Sequence, residues 1–416
     1  MQGKMWGGRF AKKINPDFEQ FSKSIDYDYI LARYDVFNSL IHVSALKNNA
    51  VLTAQEEKRI TQALWRLFIT IEKGRWKYNG SSEDIHTNIQ NQIEEKIGKL
   101  GLKLHSLRSR NDQIAFDQQC YCCVQAEKII NSLNKIKKRL LALGKKYKNS
   151  SLIGYTHTRR AQVVAASDYF ACFASMFDRD CQRIKGYRRR LSIEIGAGAL
   201  AGNTISRISY RRAIDKWFIQ VKQYIPELKK PTVSKNYLIQ VSERDFVIEF
   251  LQNLALVQMH ISRLAEDLIM HSTKEFNYFD LPEDFCTGSS LMPHKKNPDF
   301  LELLRGCTGE VYGSSFSLLT LLKSLPLTYN RDMQLDKKSL FPVVNTVYQE
   351  LKMLEVFLPE LRLNSAGIES ELKDESIYAT EIAEFLVNKG VPFKQAHQVV
   401  GKLIRYSEER KQKIID

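Results

Sequence analysis

The chain has 416 residues, 44% hydrophobic and 26% charged, the balance of an ordinary globular protein with room for a large core and more than one domain. No apolar run is long enough to cross a bilayer, and the first ten residues carry Lys4 and Arg9 without an apolar stretch, so no secretory signal is read and a cytoplasmic protein is expected. The net charge of +15 is scattered along the chain, without a basic arm or a nucleic-acid motif, so neither nucleic acid nor membrane is expected as a partner.

The predicted elements are almost all helices. The first hundred residues read as shorter helices, ending near Leu104. From Asp112 to Leu143 there is neither Gly nor Pro, and Val124, Ile130, Leu133, Ile136, Leu140 and Leu143 recur at helical spacing. A second run, Val163 to Leu191, places Ala166, Phe170, Phe173, Phe177, Cys181 and Ile184 at nearly coiled-coil spacing. Phe246, Phe250, Leu254, Val257, Ile261, Leu264 and Leu268 make a third, and a fourth covers Leu301 to Leu322. Strand signals are sparse.

Long helices with apolar seams pack side by side in a bundle. The second and third runs are apolar on more than one face, and self-association is the simplest cover. The expectation is an all-α chain with an N-terminal helical domain (1–104), a central long-helix bundle (105–359) and a short C-terminal helical domain (360–416). Cys120, Cys122 and Cys123 lie within a helical pattern. No second CxxC or His pair accompanies them, so they read as buried reduced thiols and not as a zinc site.

The chemistry concentrates in Gly288-Ser289-Ser290-Leu291-Met292-Pro293-His294-Lys295-Lys296-Asn297-Pro298. Gly288 is a hinge, and Pro293 and Pro298 stiffen the backbone behind it. A serine beside ammonium groups loses its proton more easily, and the same ammonium groups hold a carboxylate while negative charge builds on it. The loop reads as equipment for removing a proton next to a carboxylate. Upstream, Asp84 and His86 are two apart and can converge on one ligand. Asp84 suits a cation, although an acidic residue at a helix start is an equal reading. Arg110 suits bidentate carboxylate binding, and Asn111 can both donate and accept. Asn111 or Asp112 is also read as a cap of the following helix. The closely spaced Gly196, Gly198 and Gly202 permit tight backbone approach between helices.

The 288–298 loop resembles the signature loop of the fumarase/aspartase superfamily. With Leu301-Glu302-Leu303 and Arg305-Gly306 behind it, it is similar to the argininosuccinate lyase branch. Trp6-Gly7-Gly8-Arg9-Phe10, Phe21-Ser22-Lys23-Ser24, Glu83-Asp84-Ile85-His86, His105 to Asp112, Gly154 to Gln162, Gly196 to Gly202, Val241 to Asp245, and Leu325 to Gln334 with Lys337 resemble further motifs of that branch. The chain departs from the pattern at Leu107, where the family has Gly. Either the loop differs locally there, or the family's Gly is not in a left-handed conformation. Further departures are Arg159, Val163 and Ala165, and the chain ends sooner than its relatives.

The resemblance implies a three-domain lyase fold whose central helices form a tetramer core, with each active site shared between subunits. It implies cleavage of argininosuccinate into L-arginine and fumarate by β-elimination in arginine biosynthesis, without metal or organic cofactor. Ser289 would be the base. Lys295, Asn297 and Ser290 would stabilise the carbanion. His157, oriented by Glu302, would deliver a proton or hold the substrate. Ser24, Asp84, His86, Arg110, Asn111, Thr156, Tyr329, Gln334 and Lys337 would bind substrate. The alternatives are another fumarate-releasing lyase, of the adenylosuccinate lyase or aspartase type, and a non-catalytic structural homologue of the crystallin kind.

Overall fold

The computed structural model describes residues 14–410 together with Lys12 and Ile414. Trp6-Gly7-Gly8-Arg9-Phe10 lies outside the described residues. The fold is all-α in character, with three two-stranded sheets among the described residues. The chain divides into two compact units. One is made of residues 1–130, 182–255 and 310–346, the other of 131–181, 256–309 and 347–416.

In the first unit the Ala32–Asn48 helix is buried almost all round, with Val36, Phe37, Leu40 and Ile41 fully enclosed. It packs against the Ala54–Glu72 and Arg207–Lys222 helices. Thr53 and Glu56 start the former with a reciprocal capping box, and Ser206 caps the latter. A short parallel pair, Glu194–Ile195 with Thr232–Val233, lies in the same unit.

In the second unit a hairpin joins β1 (Ser151–Thr156) to β2 (Arg159–Ala165). Phe279–Asp280 pairs antiparallel with Arg362–Leu363. The Ala379–Asn388 and Phe393–Arg410 helices close on each other through Ala383, Ala396 and Val400. Among the described residues no helix is long and apolar enough to cross a membrane.

The first long run is a helix from Arg110 to Lys146, as the missing Gly and Pro predict. The second helix begins at Ala166, not Val163, because Val163 belongs to β2 opposite Ile153. The fourth run is two helices, Asp299–Gly306 and Thr308–Leu322, interrupted at Cys307. Among the four runs, the fourth leaves the most apolar surface uncovered: Tyr312, Phe316 and Leu319 share one exposed face, with Phe316 72% exposed. The second and third runs bury most of theirs within the chain. Cys120, Cys122 and Cys123 are buried free thiols.

Candidate active site

Part of the first unit forms a cavity of about 250 Å³ lined by Ser24, Asp84, His86, Arg110, Asn111, Tyr329, Gln334 and Lys337. Candidates separated by more than 300 residues in sequence therefore share one pocket. Asp84 begins the Ile85–Ile97 helix and accepts from the Thr87 amide at 2.7 Å, so the helix-start reading holds. The same carboxylate is 2.8 Å from Arg110. Burial alone would raise the Asp84 pKa, but Arg110, His86 and the Thr87 bonds outweigh it and lower it. Arg110 also donates to the Thr87 hydroxyl at 2.8 Å. Ser24 donates to Asp28 at 2.6 Å, and Asp28 also accepts from the Ile85 amide at 3.1 Å. Burial, then the neighbouring Asp84, raises Asp28 to about 6.

His86 reaches Asp35 at 2.9 Å and lies 3.9 Å from Asp117. The three side chains bring possible ligand atoms within 4.8 Å of one another. Arg108, 3.4 Å from Asp35, already supplies positive charge there, and Gln113 donates to the same carboxylate at 2.8 Å. The cluster reads as a hydrogen-bonded support for His86. On the opposite wall Lys337 is held by Asp336 at 2.9 Å. Asp336 also binds Arg244 at 2.9 Å, and both members of that second pair are fully buried.

Residues outside the candidate set complete the pocket. Asp28, Glu83 and Arg331 line it. Arg331 donates to the Ser22 carbonyl at 2.8 Å and pairs with Glu83 at 3.3 Å, and Gln334 donates to the same carbonyl at 3.0 Å. Glu83 and Arg331 sit inside matched motifs, which was the available signal. Asp28 had none beyond its closeness to Ser24.

Neither Asn111 nor Asp112 is the helix cap. Ser109 takes that place and accepts from the Asn111 amide at 3.2 Å. Asp112 instead accepts from the Gly196 and Gly198 amides at 3.0 and 3.3 Å. The close approach that these glycines permit is thus within a loop wrapped around a carboxylate and not between helices. At Gly198, with φ 58°, an added Cβ would meet the Gly202 carbonyl oxygen at 2.4 Å. Leu107 does adopt the left-handed conformation, at φ 57°, and stays half-exposed. The loop therefore keeps a shape suited to Gly and bears the steric cost, about 1–2 kcal/mol.

In the second unit Thr156 and His157 lie at the tip of the hairpin, exposed. His157 and Thr158 form its two-residue turn, with φ 52° and 56°. Both central residues of a type I′ turn need positive φ, which Asn-Gly meets cheaply and His-Thr does not. The turn presents the imidazole at an exposed tip. Glu302 is exposed on the first turn of the Asp299–Gly306 helix. Within one chain no hydrogen bond or ion pair joins it to His157 among the described residues, so the expected pair is not formed inside a single chain.

The signature loop is pinched at its base. Thr287 and Asn297 exchange backbone bonds at 3.2 and 2.8 Å, and Thr287 donates to Asp299 at 2.5 Å. Above this base Ser289 Oγ accepts from the amides of Leu291 at 3.3 Å and Met292 at 3.0 Å. Lys296 turns away and binds Asp280 at 3.2 Å and the Leu281 carbonyl at 2.6 Å. Lys295 is exposed, as is Ser290, and Asn297 is half-buried.

A model of the lyase family matches residues 8–313, and one of the argininosuccinate lyase C-terminal region matches 376–416. The argininosuccinate lyase of Syntrophus aciditrophicus is 40% identical over 99% of this chain and 85% of its own length. That of Caldanaerobacter subterraneus is 39% identical over 98% of this chain and 90% of its own length. The chain belongs to the argininosuccinate lyase family. Solved structures agree on the fold. An EDDS lyase variant with bound fumarate aligns with TM-score 0.79 at 19% identity, covering 97% of this chain and 78% of that one. The class II fumarase of Schistosoma mansoni aligns with TM-score 0.78 at 16% identity, covering 92% of this chain and 85% of that one.

Proposed function

We propose that the protein cleaves argininosuccinate into L-arginine and fumarate by β-elimination. The observation that carries the chemistry is the pair of loop amides on Ser289 Oγ. Two donors aimed at an oxygen favour its alkoxide form, as a nearby ammonium group does. Ser289 takes the proton from the carbon next to a carboxylate. Negative charge moves onto that carboxylate, where Lys295, Asn297 and Ser290 stabilise it. The carbon–nitrogen bond then breaks, the double bond of fumarate forms, and the leaving guanidine nitrogen takes up a proton with His157 assisting. The pocket around Arg110, Arg331 and Lys337, balanced by Asp28, Glu83 and Asp84, suits a substrate carrying carboxylates, an ammonium and a guanidinium.

The working enzyme is a homotetramer with active sites assembled from several copies. The exposed face of Tyr312, Phe316 and Leu319 supports burial against another copy, and His157 and Glu302 then pair between copies. Domain limits at 104 and 359 go with this reading. Seven free cysteines fit a reducing cytoplasm. The deciding assay offers purified protein argininosuccinate, adenylosuccinate and aspartate in turn and follows fumarate by ultraviolet absorbance. Release from argininosuccinate alone is expected. Release only from another substrate, or from none by a folded oligomer, refutes it.

A further inference from the structure

A second cavity in the second unit, about 340 Å³, lies under the β1–β2 hairpin. Its walls are aromatic: Tyr155, Tyr169 and Tyr278 line it with His271. The Tyr155 and Tyr278 hydroxyls bond each other at 3.0 Å, and the His271 ring stacks on Tyr278 at 5.5 Å between centroids. Asp267 supplies a carboxylate, and no lysine or arginine lines the cavity among the described residues. In a chain of net charge +15 that is a marked local reversal. The nearby Arg160 is committed to Glu371 and Asp374.

Not all the polar groups here satisfy one another. His271 is 8% exposed and neither ring nitrogen has a hydrogen-bond partner. Its Nδ1 stands 3.9 Å from Asp267, beyond hydrogen-bond reach. Burial, then the facing Asp267 carboxylate, raises the pKa of the Tyr169 hydroxyl. Burial, opposed by Asp267, lowers the His271 pKa, so the ring is a neutral acceptor near pH 7. A carboxylate, a neutral imidazole and a phenol oxygen, set among aromatic faces, are all matched by one kind of ligand. It carries positive charge and N–H donors.

We propose that this cavity binds a small organic cation, an ammonium or guanidinium compound, at a site separate from the pocket of Arg110 and Lys337. The cation sits against the tyrosine faces and donates to Asp267, His271 and Tyr169. Thr158, which also lines the cavity, is the residue next to His157, so occupancy touches the turn that carries the histidine.

Met270 lines the same cavity and provides a probe. Full-length protein labelled at the methionine methyl groups is titrated with methylguanidinium chloride at constant ionic strength and followed by methyl NMR. The Met270 signal is assigned by its loss in Met270→Leu. A saturable Met270 shift is expected, absent with sodium acetate or sodium chloride, and needing at least tenfold more ligand in Asp267→Asn. Tyr169→Phe, which removes the hydroxyl and keeps the ring, weakens binding in the same direction while leaving the remaining spectrum in place. A Met270 signal that stays still or moves equally with the control salts means that no cation binds there, and one that saturates unchanged in both variants means that Asp267 and Tyr169 do not hold it; either result overturns the proposal.

Discussion

The Ser289 hydroxyl oxygen stands 3.0 Å from the Met292 amide nitrogen and accepts its hydrogen bond. A second bond comes from Leu291 at 3.3 Å. The loop thus polarises its own serine through backbone dipoles, independently of any lysine. Lysine proximity was the sequence-level reason for an acidic hydroxyl, and one of the two, Lys296, is tied to Asp280 instead.

Asp336 holds Arg244 and Lys337 together in a buried site. Asp336→Asn leaves two cations facing a neutral amide. Loss of about 3–5 kcal/mol of stability is expected in denaturant unfolding, because a buried charge loses its partner. If the protein is assayed at low temperature where it stays folded, KM should rise, since Lys337 loses its anchor.

Leu107 is in the left-handed region on a half-exposed loop. Leu107→Gly removes the clash at the cost of a more flexible unfolded chain. A net gain of about 0.5–1 kcal/mol is expected. It is read as a higher denaturant midpoint at unchanged slope.

Asp28 is raised to about 6 from an ordinary 3.8, chiefly by burial. The folded state therefore holds a proton that the unfolded state has released between these values. Stability from this group is full below about pH 4 and falls as pH rises through 6. In Asp28→Asn that contribution is absent. The stability difference, variant minus parent, should grow from pH 4 to 7 and level off above. Unfolding curves at matched pH check this, and a difference that shrinks with rising pH contradicts it.

Phe316 is the most exposed large residue of the Tyr312, Phe316 and Leu319 face. Phe316→Glu should move the protein to smaller species in sedimentation and remove activity with assembly, because a charge cannot be buried there unpaired. The proposed sharing of sites between copies has a second consequence. Mixtures of Ser289→Ala and His157→Asn subunits should regain turnover that neither variant has alone.

The long helices were legible because a 3.6-residue apolar period sustained over thirty residues fits a helix and neither a strand nor a loop. The signature loop was legible because its motif is contiguous. The β1–β2 hairpin was not. Arg159 and Arg160 face outward on β2, and its turn is His157-Thr158 in place of the Asn-Gly that marks such turns. The roles of Asp112 and Asp336 were also hidden. Both carboxylates act as internal struts, and their partners, Gly196 and Arg244, lie far away in sequence. Leu107 shows the opposite case, where sequence identified the strained position but left open whether the strain was accepted.

The most direct measurement is turnover of argininosuccinate by Ser289→Ala under saturating substrate, with binding of the unreacted substrate followed in parallel. Loss of the base should lower kcat by roughly 100- to 10,000-fold while substrate still binds. Turnover equal to the parent protein would mean that another group removes the proton, and the role assigned to the loop would be wrong.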